Sequence, residues 1–416
     1  MEDMLSSVLE TGEEVLWRGK PETFETLDKT NKPAIVKSEI IKLVISVALI
    51  IAYIVAAGSN GAGIKPGIII IILAVMAYAL ASPFLHANTL RRKVEYVITN
   101  QRLITIKDEA KGVEFDKIKT ADIDDDDIVK GIEAIDLCMA TVSTTPDLII
   151  APGWSHTSTV QAVMAAKAEV INGILGAKSI CDIDCSASGA RSYDAVAAKK
   201  SATNLIDPAQ IAVWPQVKLG NKQFHLSTQL AGLMAKVDSG NDGVPYESPS
   251  NKNLQCDGAC LEDGTAITLT LEQANILNAN GICTALRFMN GWVAWGDHTA
   301  CYPSNTDIKD YYIPISRMFK WVGNSLIKTF WSKTDSPMNR RLLDNIKDSA
   351  NNWLAGLVGS EYLLGARVEI LDSENPMTDL MAGIVRIHIY MTPPSPAQEI
   401  DFVLEYDTDY VQSALA

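Results

Sequence analysis

The most enzyme-like motif in the chain is a serine that follows a short apolar run. Gly153-Trp-Ser-His-Thr157 follows Leu148–Ala151 after Pro152 and precedes a helical pattern, the position that a nucleophile occupies in a G-x-S-x-G turn. The motif lacks the second glycine, which the sharp turn requires. A serine at this position can instead cap the helix with its hydroxyl group. We therefore predict that Ser155 begins a helix and that the chain has no catalytic serine.

The seven cysteines include two closely spaced pairs, Cys181 with Cys185 and Cys256 with Cys260. Two such pairs could bind zinc, but a zinc knuckle usually separates its cysteines by two residues rather than three. Cys181 lies in an apolar run and the second pair flanks a turn, so buried thiols are the simpler interpretation. The five histidines are dispersed and form no ligand pattern. We predict no metal site, no cofactor and no catalytic residue.

Two long apolar runs, at residues 40–57 and 68–85, stand near the start of the chain. Each has about 18 residues, and a helix of that length approaches the thickness of a bilayer core. Basic residues flank their outer ends: Lys37, Lys42, Arg91, Arg92 and Lys93. This distribution predicts a transmembrane hairpin with both outer ends in the cytoplasm, which would place the segment in the inner membrane. Two core helices of a large domain are the alternative, because apolar runs are ambiguous.

The net charge of −14 is confined to the later part of the chain. Residues 1–117 hold 14 basic and 14 acidic side chains, so the remaining 22 basic and 36 acidic side chains lie in residues 118–416. An acidic body argues against binding to nucleic acid, which requires a basic surface. The acidic run Asp122–Asp127 marks the change of composition and is interpreted as a solvated linker. We predict three parts: residues 1–127, 128–392 and 393–416.

Short β-type segments surround the apolar hairpin. Glu14–Pro21 precedes it, and Val94–Ile106 follows it and predicts a β-hairpin that turns at Asn100. Gly-Glu-Glu-Val-Leu-Trp-Arg-Gly-Lys-Pro, the apolar hairpin and Tyr-x-Ile-Thr-Asn-Gln-Arg-Leu together resemble the bacterial pleckstrin-homology-like membrane proteins over about residues 10–125. The resemblance implies a small β-barrel-like module that is interrupted by two transmembrane helices. No catalytic residue transfers from that family.

The acidic body has an alternating α/β pattern. Asp147–Ala151, a helix from about Ser158 and Ser179–Asp184 predict a βαβ unit. Thr270 is expected to cap a short helix that Gly281 ends, and Asn290-Gly291 to join two strands. Pro314 is expected to open a long helix, and Ser336 to cap a second one that Gly359 ends.

The last segment predicts two strands on either side of a proline-rich spacer. Ile384–Met391 is the first and Glu399–Asp407 the second, with Pro393-Pro394-Ser395-Pro396 between them. Apolar and acidic residues alternate along the second strand, with Val403 as the exception. The apolar row is Ile400, Phe402, Leu404 and Tyr406. Such a strand can fold back on its own sheet or add to the edge of a neighbour's sheet, and the residues alone favour neither.

Several motifs of residues 130–416 resemble the contractile tail sheath proteins of myovirus-type phages and phage-tail-like bacteriocins. They are Leu148–His156, Pro245–Lys252, Gly291–Gly296 and the tail Glu399–Tyr406. The resemblance implies an α/β (α+β) sheath-type body with an extended C-terminal strand that links neighbouring subunits. It further implies rings of this protein stacked around a tail tube, with tail tube, baseplate and tail terminator proteins as partners.

These observations predict a non-enzymatic structural subunit of a contractile sheath, in a phage tail or tail-like particle assembled in the host cytoplasm. The alternative is a membrane-anchored scaffold or binding protein whose sheath-like body does not contract. A serine hydrolase or a metal-dependent enzyme is a third, weaker hypothesis. Sheath proteins usually begin with an extended arm, whereas here the predicted membrane module stands in that place and Met1–Glu13 offers no substitute.

Overall fold

The computed structural model describes residues 15–19, 94–99, 102–109, 112–119, 123–289 and 291–415. The chain divides into a first unit, Met1–Ile123, and a second unit, Asp124–Ala416. The predicted transmembrane helices at 40–57 and 68–85 lie outside the described residues, as do the basic residues that flank them. Among the helices that are described, none combines the length and the apolarity needed to cross a bilayer.

The described part of the first unit is an antiparallel four-stranded sheet. Its strands are β1 (Val15–Gly19), β2 (Val94–Thr99), β3 (Arg102–Glu109) and β4 (Gly112–Lys119), in that order across the sheet. Ile98 lies opposite Leu103, which confirms the predicted hairpin. β1 pairs with β2 although both predicted apolar helices lie between them in sequence. The barrel-like module that the resemblance implies stays a prediction.

A five-stranded sheet forms the centre of the second unit. Its strands are β5 (Leu148–Ile150), β6 (Lys178–Asp182), β7 (Gln210–Val213), β12 (Ile282–Phe288) and β13 (Gly291–Trp295), in the order β13-β12-β7-β6-β5. β5, β6, β7 and β12 run parallel, and β13 runs antiparallel to β12. Helices α1 (Asp125–Glu133), α2 (Cys138–Val142), α3 (Ser158–Glu169), α4 (Tyr193–Ala202) and α5 (Leu226–Gly240) accompany it. The predicted βαβ unit, β5–α3–β6, is confirmed.

Both faces of this sheet are covered, which explains why every residue of β6 and β7 is buried. Alternate residues of β6 belong to two cores. Cys181 packs in the core that contains Met164 of α3, and Ile180 packs in the core that contains Leu230 of α5. Each large side chain that is fully buried in this way contributes about 1.5–3 kcal/mol.

A smaller antiparallel sheet and a capped helix lie between β7 and β12 in sequence. The sheet contains β8 (Gln216–Leu219), β9 (Lys222–Phe224), β10 (Gly258–Cys260) and β11 (Ala266–Ile267), in the order β11-β10-β8-β9. Thr270 caps α6 (Leu271–Asn278) through a capping box with Gln273, as predicted. Gly281 follows this helix with φ at +66°. A side chain at this position would place its Cβ 2.6 Å from the backbone oxygens of Thr299 and Tyr302, so only glycine fits.

Two long helices and a two-stranded sheet enclose a third core. The helices are α8 (Ile313–Phe330), which follows the short α7 (Ile308–Tyr311), and α9 (Arg340–Gly359). Pro314 lies in the first turn of α8, as predicted. Antiparallel β14 (Gly365–Glu369) and β15 (His388–Thr392) form the sheet, with the short α10 (Met377–Met381) between them in sequence. Met318, Leu354 and Val368 lie in this core.

Two predictions about residues at helix starts in the second unit are wrong. Asp124–Asp127 is not part of a linker, since the Asp124 carboxylate accepts the backbone N–H of Asp127 at 3.0 Å and begins α1. Acidic side chains are favourable there because the helix dipole presents its positive end. Ser336 does not cap α9, because the Asn339 side chain accepts the Leu342 N–H at 2.9 Å.

The C-terminal predictions also need correction. Residues 384–387 are not part of a strand, because the buried Asn375 side chain bonds both the N–H and the C=O of Arg386. Residues 399–407 form no strand in the single chain, since no described strand pairs with them. A helix that the sequence did not predict, α11 (Thr408–Leu415), follows them.

Candidate assembly interface

The C-terminal arm, residues 393–416, presents its apolar row to solvent. Ile400, Phe402, Leu404 and Tyr406 are between 70% and 93% exposed. The arm contains five acidic residues and no lysine, arginine or histidine. An exposed row of large apolar side chains normally indicates a surface that another molecule covers. The alternative in which this segment folds back on its own sheet is not observed among the described residues.

The base of the arm is attached to its own body by a buried acid. Gln398 Nε2 donates a hydrogen bond to Asp297 Oδ1 at 2.7 Å. Burial raises the pKa of Asp297, and the neighbouring His298, whose Nε2 lies 3.7 Å from the same oxygen, acts in the opposite direction. His298 itself is held by Asn278, whose backbone oxygen lies 2.9 Å from Nδ1. The arm therefore leaves the body at a defined place.

An open cleft of about 1010 Å³ lies under the base of the arm. Its lining combines aromatic and polar side chains with Pro394–Ile400 of the arm itself; among the body residues are Tyr246, Lys252, Asn275, Trp295 and Tyr302. Trp295 Nε1 donates to Asn275 Oδ1 at 2.8 Å, which fixes the indole at the wall of the cleft.

Most strand edges in the second unit are short or covered. β5 and β9 have three residues each and β11 has two. The outer edge of β13 is covered by the segment 251–254, which bonds Ala294 and Trp292 through backbone hydrogen bonds of 2.7–3.0 Å. The edges of β14 and β15 are the longer alternatives, because these five-residue strands pair only with each other among the described strands.

β14 and β15 differ in how their outer edges are filled. The Asn351 side chain on α9 accepts the Val368 N–H at 2.9 Å and donates to the Val368 C=O at 3.4 Å, so it occupies the edge of β14. Backbone groups alternate in direction along antiparallel strands, and Val368 lies opposite Ile389. The N–H and C=O groups of Ile389 and Met391 therefore point to the outer edge of β15, where no described residue bonds them.

The core-facing side of β15 is only partly covered. Ile389 and Met391 pack against the third core and yet remain half-buried. A two-stranded sheet is marginally stable by itself, and a further strand at this edge would supply hydrogen bonds and cover both side chains. The edge of β15 is thus the described edge best suited to accept an extended segment.

The residues considered for catalysis make structural contacts. Ser155 is fully buried, and its Oγ donates to Asp182 Oδ2 at 3.0 Å rather than to a histidine. Ser227 Oγ donates to the same oxygen at 2.6 Å, so this carboxylate links the segment after β5 to the first turn of α5. His156 lines a cavity of about 180 Å³ at the carboxyl ends of the parallel strands, and Asp182 is part of the same lining.

The cysteine pairs are free thiols in this structure. Burial raises the pKa of Cys181 to about 12 and that of Cys185 to about 11, which disfavours the thiolates that would react or bind a metal. The part of the chain that is described contains no group of three or more side chains placed to hold a metal ion.

The chain is similar in sequence to a phage tail sheath protein. It is 27% identical over 187 residues to the tail sheath protein of Burkholderia phage BcepMu, which covers 45% of this chain and 39% of that protein. The chain thus matches about two fifths of that relative's length. No protein-family model matches the chain.

Two solved structures resemble the chain at low sequence identity. One is a chain of the PVC sheath complex, an extracellular contractile injection system in its contracted state. It has a TM-score of 0.53 and 19% identity, and the match covers 69% of this chain and 82% of that one. The other is a chain of the anti-feeding prophage baseplate, with a TM-score of 0.51, 20% identity and coverage of 66% and 72%. Over about two thirds of its length, the chain therefore shares a mixed α/β fold with these two chains.

Proposed function

We propose that this chain is a structural, non-enzymatic subunit of a contractile sheath that polymerises around a tail tube and contracts to drive it through an envelope. The observation that carries the proposal is the C-terminal arm, whose exposed apolar row pairs with none of the described strands, while no described residue bonds the outer edge of β15. The tail sheath relative and the shared fold support it.

In the proposed assembly, the arm of one subunit adds as a strand to β15 of a neighbour. The apolar row would then lie beside Ile389 and Met391, on the side of the sheet that packs against the third core. Burial of each large side chain contributes about 1.5–3 kcal/mol, whereas ordering each arm residue costs about 1–2 kcal/mol. Docking therefore depends on the backbone hydrogen bonds of the added strand as well as on each buried side chain, and a charge in the apolar row should oppose it.

The experiment compares the parent chain with two single substitutions in the arm. Phe402→Asp introduces a charge into the apolar row and should abolish tubes or rings in negative-stain micrographs. Val403→Asp, on the opposite face of an extended segment, is the matched control and should assemble like the parent. Deletion of residues 398–416 should leave a cooperatively melting chain that forms no tubes. Normal tubes from Phe402→Asp would refute linkage through the apolar row.

The remaining partners follow from the resemblance. Tail tube, baseplate and tail terminator proteins would contact the assembled sheath in a phage tail or tail-like particle. The two apolar runs at 40–57 and 68–85 would tether the first unit to the inner membrane during assembly in the host cytoplasm.

These apolar runs also favour a second candidate function, that of a membrane-anchored scaffold with a sheath-like body that does not contract. The two functions differ in one measurable property. A contractile sheath forms tubes of two lengths, whereas a scaffold forms a single lattice or none. Electron microscopy of assemblies before and after mild denaturant distinguishes these outcomes.

A further inference from the structure

The outer face of the β14–β15 sheet carries an arginine that lies across the sheet towards the outer edge of β15. Arg367 of β14 is opposite Tyr390 of β15, and its guanidinium carbon lies 3.8 Å from the centre of the Tyr390 ring. Side chains on a strand alternate between faces. Val368 and Ile389 face the core, so Arg367 and Tyr390 lie on the other face of the sheet. The guanidinium group is therefore held over β15, the strand whose outer edge no described residue bonds.

This guanidinium has unused hydrogen-bonding capacity. Its Nε donates to Glu369 Oε1 at 3.0 Å, and among the described residues neither Nη group has an acceptor. The side chain is 60% exposed. A guanidinium presents five donors in a planar fork, so one that already binds a carboxylate through Nε can bind a second carboxylate through its Nη groups.

The arm supplies carboxylates in the matching row. When an extended segment turns its apolar row towards the core, its other side chains point to the outer face. In residues 399–407 these are Val403 and four acids: Glu399, Asp401, Glu405 and Asp407. On a strand added to β15, this acidic row would lie beside Tyr390 and the guanidinium above it.

We infer that Arg367 recognises the acidic row of the arm of a second copy and so determines which face of that arm turns to the core. The inference rests on the proposed docking of the arm at β15. A flat strand can add to a sheet edge with either of its two faces turned to the core. A charge that attracts one face fixes which face turns outward.

The surrounding charges make this arginine the deciding residue. Glu369 lies on the same face, and Glu374 Oε1 lies 2.8 Å from His388 Nδ1. Arg386 is already paired with Asp379 and with the backbone oxygen of Glu374. Without Arg367, the outer face would present Glu369 and Glu374 to the acids of the arm, and like charges would oppose docking.

The test uses the full-length protein and a charge swap. Arg367→Glu should raise the concentration needed for assembly about tenfold or more, measured by sedimentation and electron microscopy. Adding Asp401→Arg and Glu405→Arg to Arg367→Glu should restore assembly to within about threefold of the parent, because the attraction is rebuilt with opposite signs. Arg340→Glu is the matched control, since this arginine is exposed on α9 and its reversal changes the net charge equally.

Thermal melting followed by circular dichroism verifies that each variant is folded. If Arg367→Glu assembles as readily as Arg340→Glu while the arm-deleted chain does not assemble, the arm links subunits and the role of Arg367 is refuted. Failure of the charge swap to restore assembly by a folded variant refutes it as well. Normal assembly of the arm-deleted chain would instead overturn the proposed linkage, and this inference with it.

Discussion

Replacement of one buried lysine should change how the stability of the second unit depends on pH. Lys178 begins β6 and is only 2% exposed. Its Nζ donates to Pro208 O at 2.7 Å and to Ser316 Oγ at 2.5 Å. Burial lowers the pKa of Lys178 from its ordinary 10.5 to about 7, and the nearby charge of Lys320 acts in the same direction.

The sign of the effect follows from proton binding. Between pH 7 and pH 10.5 the unfolded chain holds a proton on this lysine that the folded chain has released, so the free energy of unfolding rises with pH. The slope approaches about 1.4 kcal/mol per pH unit, which gives an increase of about 2 kcal/mol between pH 7.5 and pH 9.5. Lys178→Met removes this dependence. It also removes the two hydrogen bonds of Lys178, but their loss lowers the free energy of unfolding equally at both pH values.

The assay is denaturant unfolding of the parent and of Lys178→Met at pH 7.5 and pH 9.5. The difference between the two proteins should change by about 2 kcal/mol in favour of the parent at the higher pH. Lys218→Met, which removes an exposed ammonium on β8, should follow the parent at both pH values. Equal differences for Lys178→Met at the two pH values would refute the argument from charge burial.

Three further predictions concern other parts of the chain. Ser155→Ala should lower the free energy of unfolding by about 1–3 kcal/mol, because Asp182 loses a donor, and the parent protein should not react with a fluorophosphonate probe. Labelling of Ser155 by the probe would contradict the structural role. Gln398→Ala should speed limited proteolysis of the arm while leaving the fragmentation of the body unchanged, since the bond to Asp297 fixes the base of the arm. The full-length protein should partition into detergent because of the runs at 40–57 and 68–85, and a high yield of monomer in plain buffer would argue for core helices instead.

Local sequence patterns predicted the main elements of the body. The capping box at Thr270, the proline in the first turn of α8 and the β12–β13 pair around Asn290-Gly291 depend on residues within a few positions of each other. The βαβ unit followed from apolar periodicity. These features are set by backbone conformation and nearby side chains, so one stretch of sequence contains the information.

The errors arose where a side chain could satisfy the backbone in more than one way. Asp124 and Asn339 were equally suited to cap a helix or to lie in a loop, and only the folded chain selects between these roles. Asn375 prevents residues 384–387 from continuing β15 because it bonds Arg386 from eleven positions away. No local pattern identifies such a partner.

Sequence alone determined that residues 399–407 carry an apolar and an acidic row, because side chains of any extended segment alternate. Tertiary structure decided where that segment can dock. Asn351 fills the edge of β14, residues 251–254 cover β13, and the outer edge of β15 is left without a partner among the described residues. Tertiary structure also placed Arg367 over Tyr390 beside that edge. Edges and their neighbours are made by segments far apart in the chain, so they exist only once the chain is folded.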